Sequence, residues 1–277
     1  MNKFTRRTVI AAACAAAAMT FAPMSFAQQA PEKKDVTIAV GGKSLYYYLP
    51  LSIAEQLGYF KDEGLNVKIV DFQGGSRSLQ AVVGGSADVV SGAFEHTISM
   101  QAKKQPMTAF VLQGRAPQLA LVVSNKTMKD YKQLSDLKGK KVGVTAPGSS
   151  SQMVANFILK KGGLGPKDVA FIGVGSSSGA VSAIRSGQID ALINLDPVIT
   201  ILLKNGDAKL VADTRKVKES ESFFGGTMPA GCLYAPVSFV EKNPKTVQAL
   251  TNAIVRADDW LAKATPEEVV TPQQEIP

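Results

Sequence analysis

The sequence predicts an α/β protein built as two lobes, and three observations carry that expectation. β-branched runs alternate with segments of helical period along most of the chain, as expected of sheets with crossover helices. The alternation runs through one series, leaves it near residue 118 and begins again. At 277 residues the chain is also long enough to bury two modest cores.

In order, residues 36–40 read as a strand closed by Gly41-Gly42, and Pro50 opens a helix with Leu49, Ile53 and Leu57 on one face and Gly58 as its stop. Residues 66–72 follow as a strand, 76–83 as a helix, 87–91 as a strand, 95–105 as a helix ended by Pro106, and 107–112 as a strand. Residues 118–124 lead into the second series, with strands at 141–145, 169–174, 188–194 and 208–212 and helices at 150–161, 179–186 and 197–205. The polar stretch 215–222 and Phe223-Phe224-Gly225-Gly226 are expected to return the chain to a strand at 232–235. Pro244 then opens a long helix whose Val247, Leu250, Ile254 and Leu261, with Trp260 beside them, should pack on the first lobe. The lobes are thus residues 36–117 with 216–277, and 118–215. Ser76, Ala81, Gly85 and Asp88 recur as Ser178, Ala183, Gly187 and Asp190, each 102 positions on. A tight helix-to-strand turn needing a glycine with positive φ and a nearby Asp explains this without duplication.

Lys3, Arg6 and Arg7, an apolar run over 9–24 and Ser25-Phe26-Ala27 have the layout of an export signal, with cleavage expected after Ala27 and the periplasm as destination. The run is shorter than the ~20 residues a bilayer-spanning helix needs. Thr5-Arg6-Arg7 leaves Sec and twin-arginine export both open, and Cys14 has too short an apolar lead for a lipoprotein site. Removing three basic residues and no acidic ones lowers the formal charge from +8 to +5. No cluster of Lys and Arg interleaved with aromatics occurs, which argues against a nucleic-acid partner. Cys232 alone remains after cleavage, so packing rather than an internal disulfide holds the fold.

Chemistry-bearing residues are few. His96 is the single histidine, so triad-type catalysis would rest on it and an unplaced partner; no catalytic residue, cofactor or metal site is assigned. His96 follows a strand end, where ligands of open α/β sheets lie, and serves equally well as a helix cap. Glu95 beside it is explained by the helix dipole alone. Gly173 to Gly179 approaches a dinucleotide fingerprint with one residue too many before its last glycine, a poor fit for an exported chain. Three strand ends lead into Gly/Ser-rich helix starts: Gly74-Gly75-Ser76-Arg77, Pro147-Gly148-Ser149-Ser150-Ser151 and the Gly175 loop. Such starts present free amide donors to an anion, or are plain caps. Arg77 adds a guanidinium suited to a carboxylate or sulfonate, or is a solvated surface arginine.

Leu49 to Phe60, Glu63 to Val67 and Gly74-Gly75-Ser76, followed in order by Gly85-Ser86-Ala87-Asp88, Leu137 to Val144, and Gly187 to Ala191 through Asp196-Pro197, resemble the nitrate, sulfonate and taurine type of ABC substrate-binding proteins, which includes the thiamine-precursor receptors. The likeness runs from about Val36 to Val270. It implies the type II periplasmic-binding-protein fold, a monomer, a small anionic or heterocyclic ligand closed between the lobes, and an ABC permease in the inner membrane as partner. It further implies a cleft lined by Lys43, Ser44, Tyr46, Ser76, Arg77, Glu95, His96, Gln113, Ser149, Ser150 and Asp196. Two other readings stay open. One is an enzyme like the related thiamine-pyrimidine synthases, in which a histidine is consumed as reactant and His96 is the candidate; the other is a periplasmic sensor partner. Members of the family continue for several helices past the equivalent of Val270, so the end at Pro277 reads as truncated or divergent.

Overall fold

The computed structural model describes residues 30–270; the expected export signal with its cleavage after Ala27, and the tail 271–277, lie outside the described residues. Two five-stranded sheets organise the chain. In the first, β1 (Asp35–Val40) runs parallel to β2 (Asn66–Asp71) and β3 (Val89–Ala93), with Ile38 opposite both Ile69 and Val89. β4 (Met107–Leu112) forms the edge, and β10 (Gly231–Pro236) inserts antiparallel between β3 and β4, giving the order β2-β1-β3-β10-β4.

The second sheet has the same plan. β6 (Lys141–Val144), β7 (Ala170–Gly173) and β8 (Ala191–Asn194) are parallel. β5 (Ala120–Ser124) inserts antiparallel between β8 and β9 (Ala208–Asp213), giving β7-β6-β8-β5-β9. Each inserted strand follows a passage between the sheets. β3 and β5 are buried at every position, so neither alternates polar with apolar residues, which is the pattern of strands covered on both faces.

The helices are α1 (Leu49–Gln56), α2 (Tyr59–Asp62), α3 (Gly75–Val83), α4 (Glu95–Ala102), α5 (Ser150–Lys161), α6 (Ser178–Ser186), α7 (Val198–Lys204), α8 (Val217–Phe224), α9 (Val237–Lys242), α10 (Pro244–Leu261) and α11 (Pro266–Val270). α10 buries Thr246, Ala249, Leu250, Ala253, Ile254 and Ala257, a stripe at helical spacing that packs on α1, α2 and β4. Alanine at half of those positions lets the helix approach closely, while Leu250 and Ile254 each contribute about 2 kcal/mol of apolar burial. The helix therefore lies on the first sheet, as its periodicity predicts.

The residues recurring at an interval of 102 positions build the same joint twice. α3 and α6 each lead through a glycine with positive φ, Gly85 at 75° and Gly187 at 81°, into an aspartate. Asp88 accepts from the Thr37 amide and donates its own N–H to the Thr37 carbonyl. Asp190 does the same with Lys141. Each Asp thus fastens the start of the neighbouring parallel strand.

Several boundaries differ from expectation. β8 begins at Ala191 rather than 188, because the Gln188 and Ile189 amides close the turn onto Ala183. α4 ends at Ala102 rather than 105: Lys104 takes φ 58° and the Gln105 amide returns to Met100. The polar passage 215–222 contains α8, a helix stopped by Gly225 at φ 79°. Its apolar contribution comes late, from Phe223 and Phe224, and that hides its period in the sequence.

Candidate functional site

At the C-terminal end of β3 the chain turns directly into α4, which places Glu95 and His96 at the inner end of the first sheet. Gln113, just past β4, is tied to the same place by its amide, which donates to the Gly231 carbonyl at 2.6 Å. The Ser91 hydroxyl donates to Gln113 Oε1 at 2.8 Å. His96 Nδ1 lies 2.8 Å from the Tyr234 hydroxyl, with the rings edge to face. Tyr47 closes the group: a Cβ on Gly231 would sit 3.3 Å from its ring and 3.5 Å from Gln113.

This cluster is buried and incompletely paired. Glu95, His96 and Gln113 are 8%, 1% and 5% exposed, and Glu95 Oε2, His96 Nε2 and Gln113 Nε2 have no hydrogen-bond partner. Burial pushes the Glu95 carboxyl up to about 7. It pushes His96 down to about 4, against the opposing influence of the Gly148 backbone. At neutral pH the imidazole is therefore uncharged and the carboxyl is near its midpoint. Burial, then the Glu95 charge, also raises Tyr47, and the Cys232 thiol is pushed up to about 12 by the same two causes.

The second sheet closes over this face. The Ser76 amide donates to Ser149 Oγ at 3.0 Å, and the Ser76 hydroxyl donates to the Pro147 carbonyl at 2.9 Å. Ser149 sits at the N-cap of α5 yet makes no side-chain cap there; its oxygen reaches across to the other lobe instead. A third bridge runs from the Tyr46 amide to the Asp196 carbonyl at 3.0 Å. Gly42, at φ 102°, lets Ser176 approach so closely that a Cβ would fall 2.3 Å from its Oγ. Beside the clasp lies a cavity of about 710 Å³, lined among others by Gln73, Arg77, Gln80, Thr145 and Gln188. Arg77 is the one charged residue among its lining residues, and no hydrogen bond or ion pair engages its side chain among the described residues.

The structure therefore sorts the expected residues into groups. Glu95, His96 and Gln113 come together; Ser76 and Ser149 form the clasp; Arg77 faces the adjoining cavity. Lys43 is paired with Glu55 of α1. The Asp196 carboxylate accepts from Thr200 and from Arg215, which Asp213 also holds. Ser44 and Tyr46 are exposed, Tyr46 at 56%, and Ser150 is half-buried in the first turn of α5. Tyr47, Ser91 and Tyr234 belong to the cluster without having been singled out in the sequence. The run Tyr46-Tyr47-Tyr48 in the turn that follows the first strand was the available signal for Tyr47; nothing marked Ser91 or Tyr234. No group of His, Cys, Asp and Glu able to hold a metal ion occurs among the described residues.

Comparison with known proteins places this geometry. The NMT1/THI5 like family model matches residues 46–269. A solved protein of Bordetella bronchiseptica RB50 is 62% identical, with a TM-score of 0.87 over 88% of this chain and 77% of that one. The alkanesulfonate-binding protein SsuA of Xanthomonas axonopodis pv. citri superposes with a TM-score of 0.69 at 20% identity, covering 89% of this chain and 81% of its own. YtlA of Bacillus subtilis, named as a candidate binding protein, is 25% identical over 97% of this chain and 78% of its own length. A 4-amino-5-hydroxymethyl-2-methylpyrimidine phosphate synthase of Candida albicans is 25% identical over 82% of this chain and 67% of its own. The two-lobed periplasmic-binding-protein fold expected from the motifs is the fold observed.

Proposed function

Because the chain belongs to the NMT1/THI5-like family, we propose that it is an exported solute-binding protein that closes its lobes over a small anionic or heterocyclic molecule and presents it, as a monomer, to an ABC permease. The lobes are taken as residues 36–117 with 216–277, and 118–215. The observation that carries this reading is the serine clasp between Ser76 and Ser149, set beside buried polar groups that no protein atom pairs. A bound molecule that pairs them would stabilise the closed arrangement, and closure is the signal a permease can read. The expected export signal supplies the address.

Thermal unfolding of the protein against a panel of sulfonates, nitrate, pyrimidines and aromatic acids tests the reading. At least one class is expected to raise the midpoint by several degrees at hundredfold excess over its Kd; a flat panel would count against capture.

One observation favours a second reading. His96 is wholly buried with Nε2 unpartnered, and relatives of the chain are named as pyrimidine phosphate synthases. An enzyme that consumes a histidine would leave His96 altered after a turnover, whereas a receptor returns it intact. The mass of the peptide carrying His96, in protein recovered from cells, separates the two.

A further inference from the structure

The three unpartnered groups specify more than a cavity. Glu95 Oε2 is an acceptor, Gln113 Nε2 a donor, and His96 Nε2 either, according to tautomer. Each belongs to a residue more than nine-tenths buried. The cationic side chains are engaged or act elsewhere: Lys43 is paired with Glu55, Arg215 is held by Asp213 and Asp196, and Arg77 lines the neighbouring cavity. Lys103, just past α4, acts on His96, while among the described residues no cation acts on the Glu95 carboxyl. The groups on which the Glu95 charge acts are Tyr47 and Tyr48 from the turn after β1, and Cys232 and Tyr234 from β10. All four are uncharged at neutral pH, as is His96 on its own helix. A sulfonate or nitrate placed here would offer acceptors alone and would meet a carboxylate without a counter-charge in a dry setting.

We infer that Glu95, Gln113 and His96 form the floor of a site for a neutral molecule with an amide-type edge, an N–H donor beside a carbonyl or ring acceptor, and that this floor rejects sulfonates and nitrate. The inference rests on the solute-binding reading and narrows its ligand class. The donor of such an edge meets Glu95 Oε2, and its acceptor meets the Gln113 amide. None of the three residues lines the 710 Å³ cavity, so entry requires the Ser76–Ser149 clasp to part. Recognition by the carboxylate form has a further consequence. With the Glu95 carboxyl near 7, binding should strengthen about tenfold from pH 6 to pH 8, the factor by which the ionised fraction grows.

Ligand-detected NMR and calorimetry on the purified protein, with 2-pyrrolidone, nicotinamide and urea against ethanesulfonate, taurine and nitrate, provide the test. At pH 8 the amide probes should bind and compete with one another, the anions should not displace them, and Glu95→Gln should abolish the pH dependence while leaving the unfolding transition cooperative. Gln113→Leu gives a second handle, with at least a tenfold loss for every amide probe. Binding of the anions but not the amides at pH 8 would overturn the inference and leave solute capture standing. Binding of neither class would count against both, and unchanged amide binding in the Glu95 and Gln113 variants would overturn the assignment of the floor.

Discussion

The two lobes share one topology and differ in where their unpaired buried polar atoms gather. Around the second sheet, Thr145 is paired with Ser151, the Asn194 side chain donates to Gly175 and accepts from Leu195, and Thr214 both donates to and accepts from Leu119. At the ends of the first sheet, Glu95, His96 and Gln113 each keep an atom without a partner. An unmade hydrogen bond of a buried group costs about 1–3 kcal/mol; among the described residues the second lobe carries one such atom, Asn156 Oδ1 in α5, whereas the first gathers three at one end of its sheet and has a further one at Ser220. The difference lies in concentration: the polar groups beside the second sheet are paired, and the end of the first sheet gathers three groups whose pairing is left to something else.

The largest effect should come from the glycines that let backbone segments meet. A Cβ on Gly41, at the end of β1, would stand 2.4 Å from both the Gly74 carbonyl carbon and the Gly75 nitrogen. Neither is the tip of a flexible side chain, so backbone must move. Gly41→Ala should therefore cost more than about 4 kcal/mol, or prevent folding, by urea denaturation. In the second lobe a Cβ on Gly179 would meet only the Val174 carbonyl oxygen at 3.1 Å, in a helix where alanine is favoured over glycine by roughly 1 kcal/mol. Gly179→Ala should stay within about 1 kcal/mol of the parent. Equal costs for the two would erase the asymmetry.

Next in size is the effect of pH on the floor itself. The Glu95 carboxyl moves from 4.5 up to about 7 on folding, so the folded state holds the extra proton between those values and stability falls as pH climbs through them. His96 moves from 6.5 down to about 4, so the unfolded chain holds the extra proton and stability rises with pH over that range. At ~1.4 kcal/mol per unit each slope amounts to about 3 kcal/mol, and in the overlap they oppose one another. Glu95→Gln should expose a rise of about 3 kcal/mol from pH 4 to 6.5, and His96→Gln a fall of similar size from pH 4.5 to 7, each measured by denaturation as that variant's own pH profile. Parallel profiles for the two variants would show that the pair does not share a dry setting.

How much of this was written in the sequence can be judged from the same residues. The β-branched runs and the α10 stripe were legible because their periods are local, and Asp88 and Asp190 were legible as a repeat because the same turn needs the same residues. Glu95 and His96 were legible from their place between a strand end and a helix start and Gln113 through the family resemblance, but their lack of partners depends on what β10 and the 46–48 turn bring over them. Lys43 was expected in the cleft; its pairing with Glu55 follows from the way α1 folds back, which spacing along the chain does not reveal. The serine-rich helix starts were ambiguous between caps and anion seats; the Ser149 side chain does not cap α5, and its oxygen clasps the opposite lobe. α8 was hidden because its apolar residues gather at one end.

The smallest effect is the one that compares the lobes most directly. Asp88 and Asp190 hold equivalent amides, Thr37 and Lys141, at 2.9 Å each. Removing either by substitution with Ala should cost about 1–2 kcal/mol, because a strand-start amide loses a charged acceptor. Asp88 also binds the Lys33 ammonium at 2.8 Å, in a pair whose lysine is 43% exposed. A partly solvated pair of this kind adds at most a few tenths of a kcal/mol and is screened by salt. Asp88→Ala should thus exceed Asp190→Ala slightly in low salt, and the two should converge in about 1 M NaCl. A difference that persists in salt would mean that the two joints, alike in hydrogen bonding, differ in packing, and the lobes would then be less equivalent in their framework than their shared topology implies.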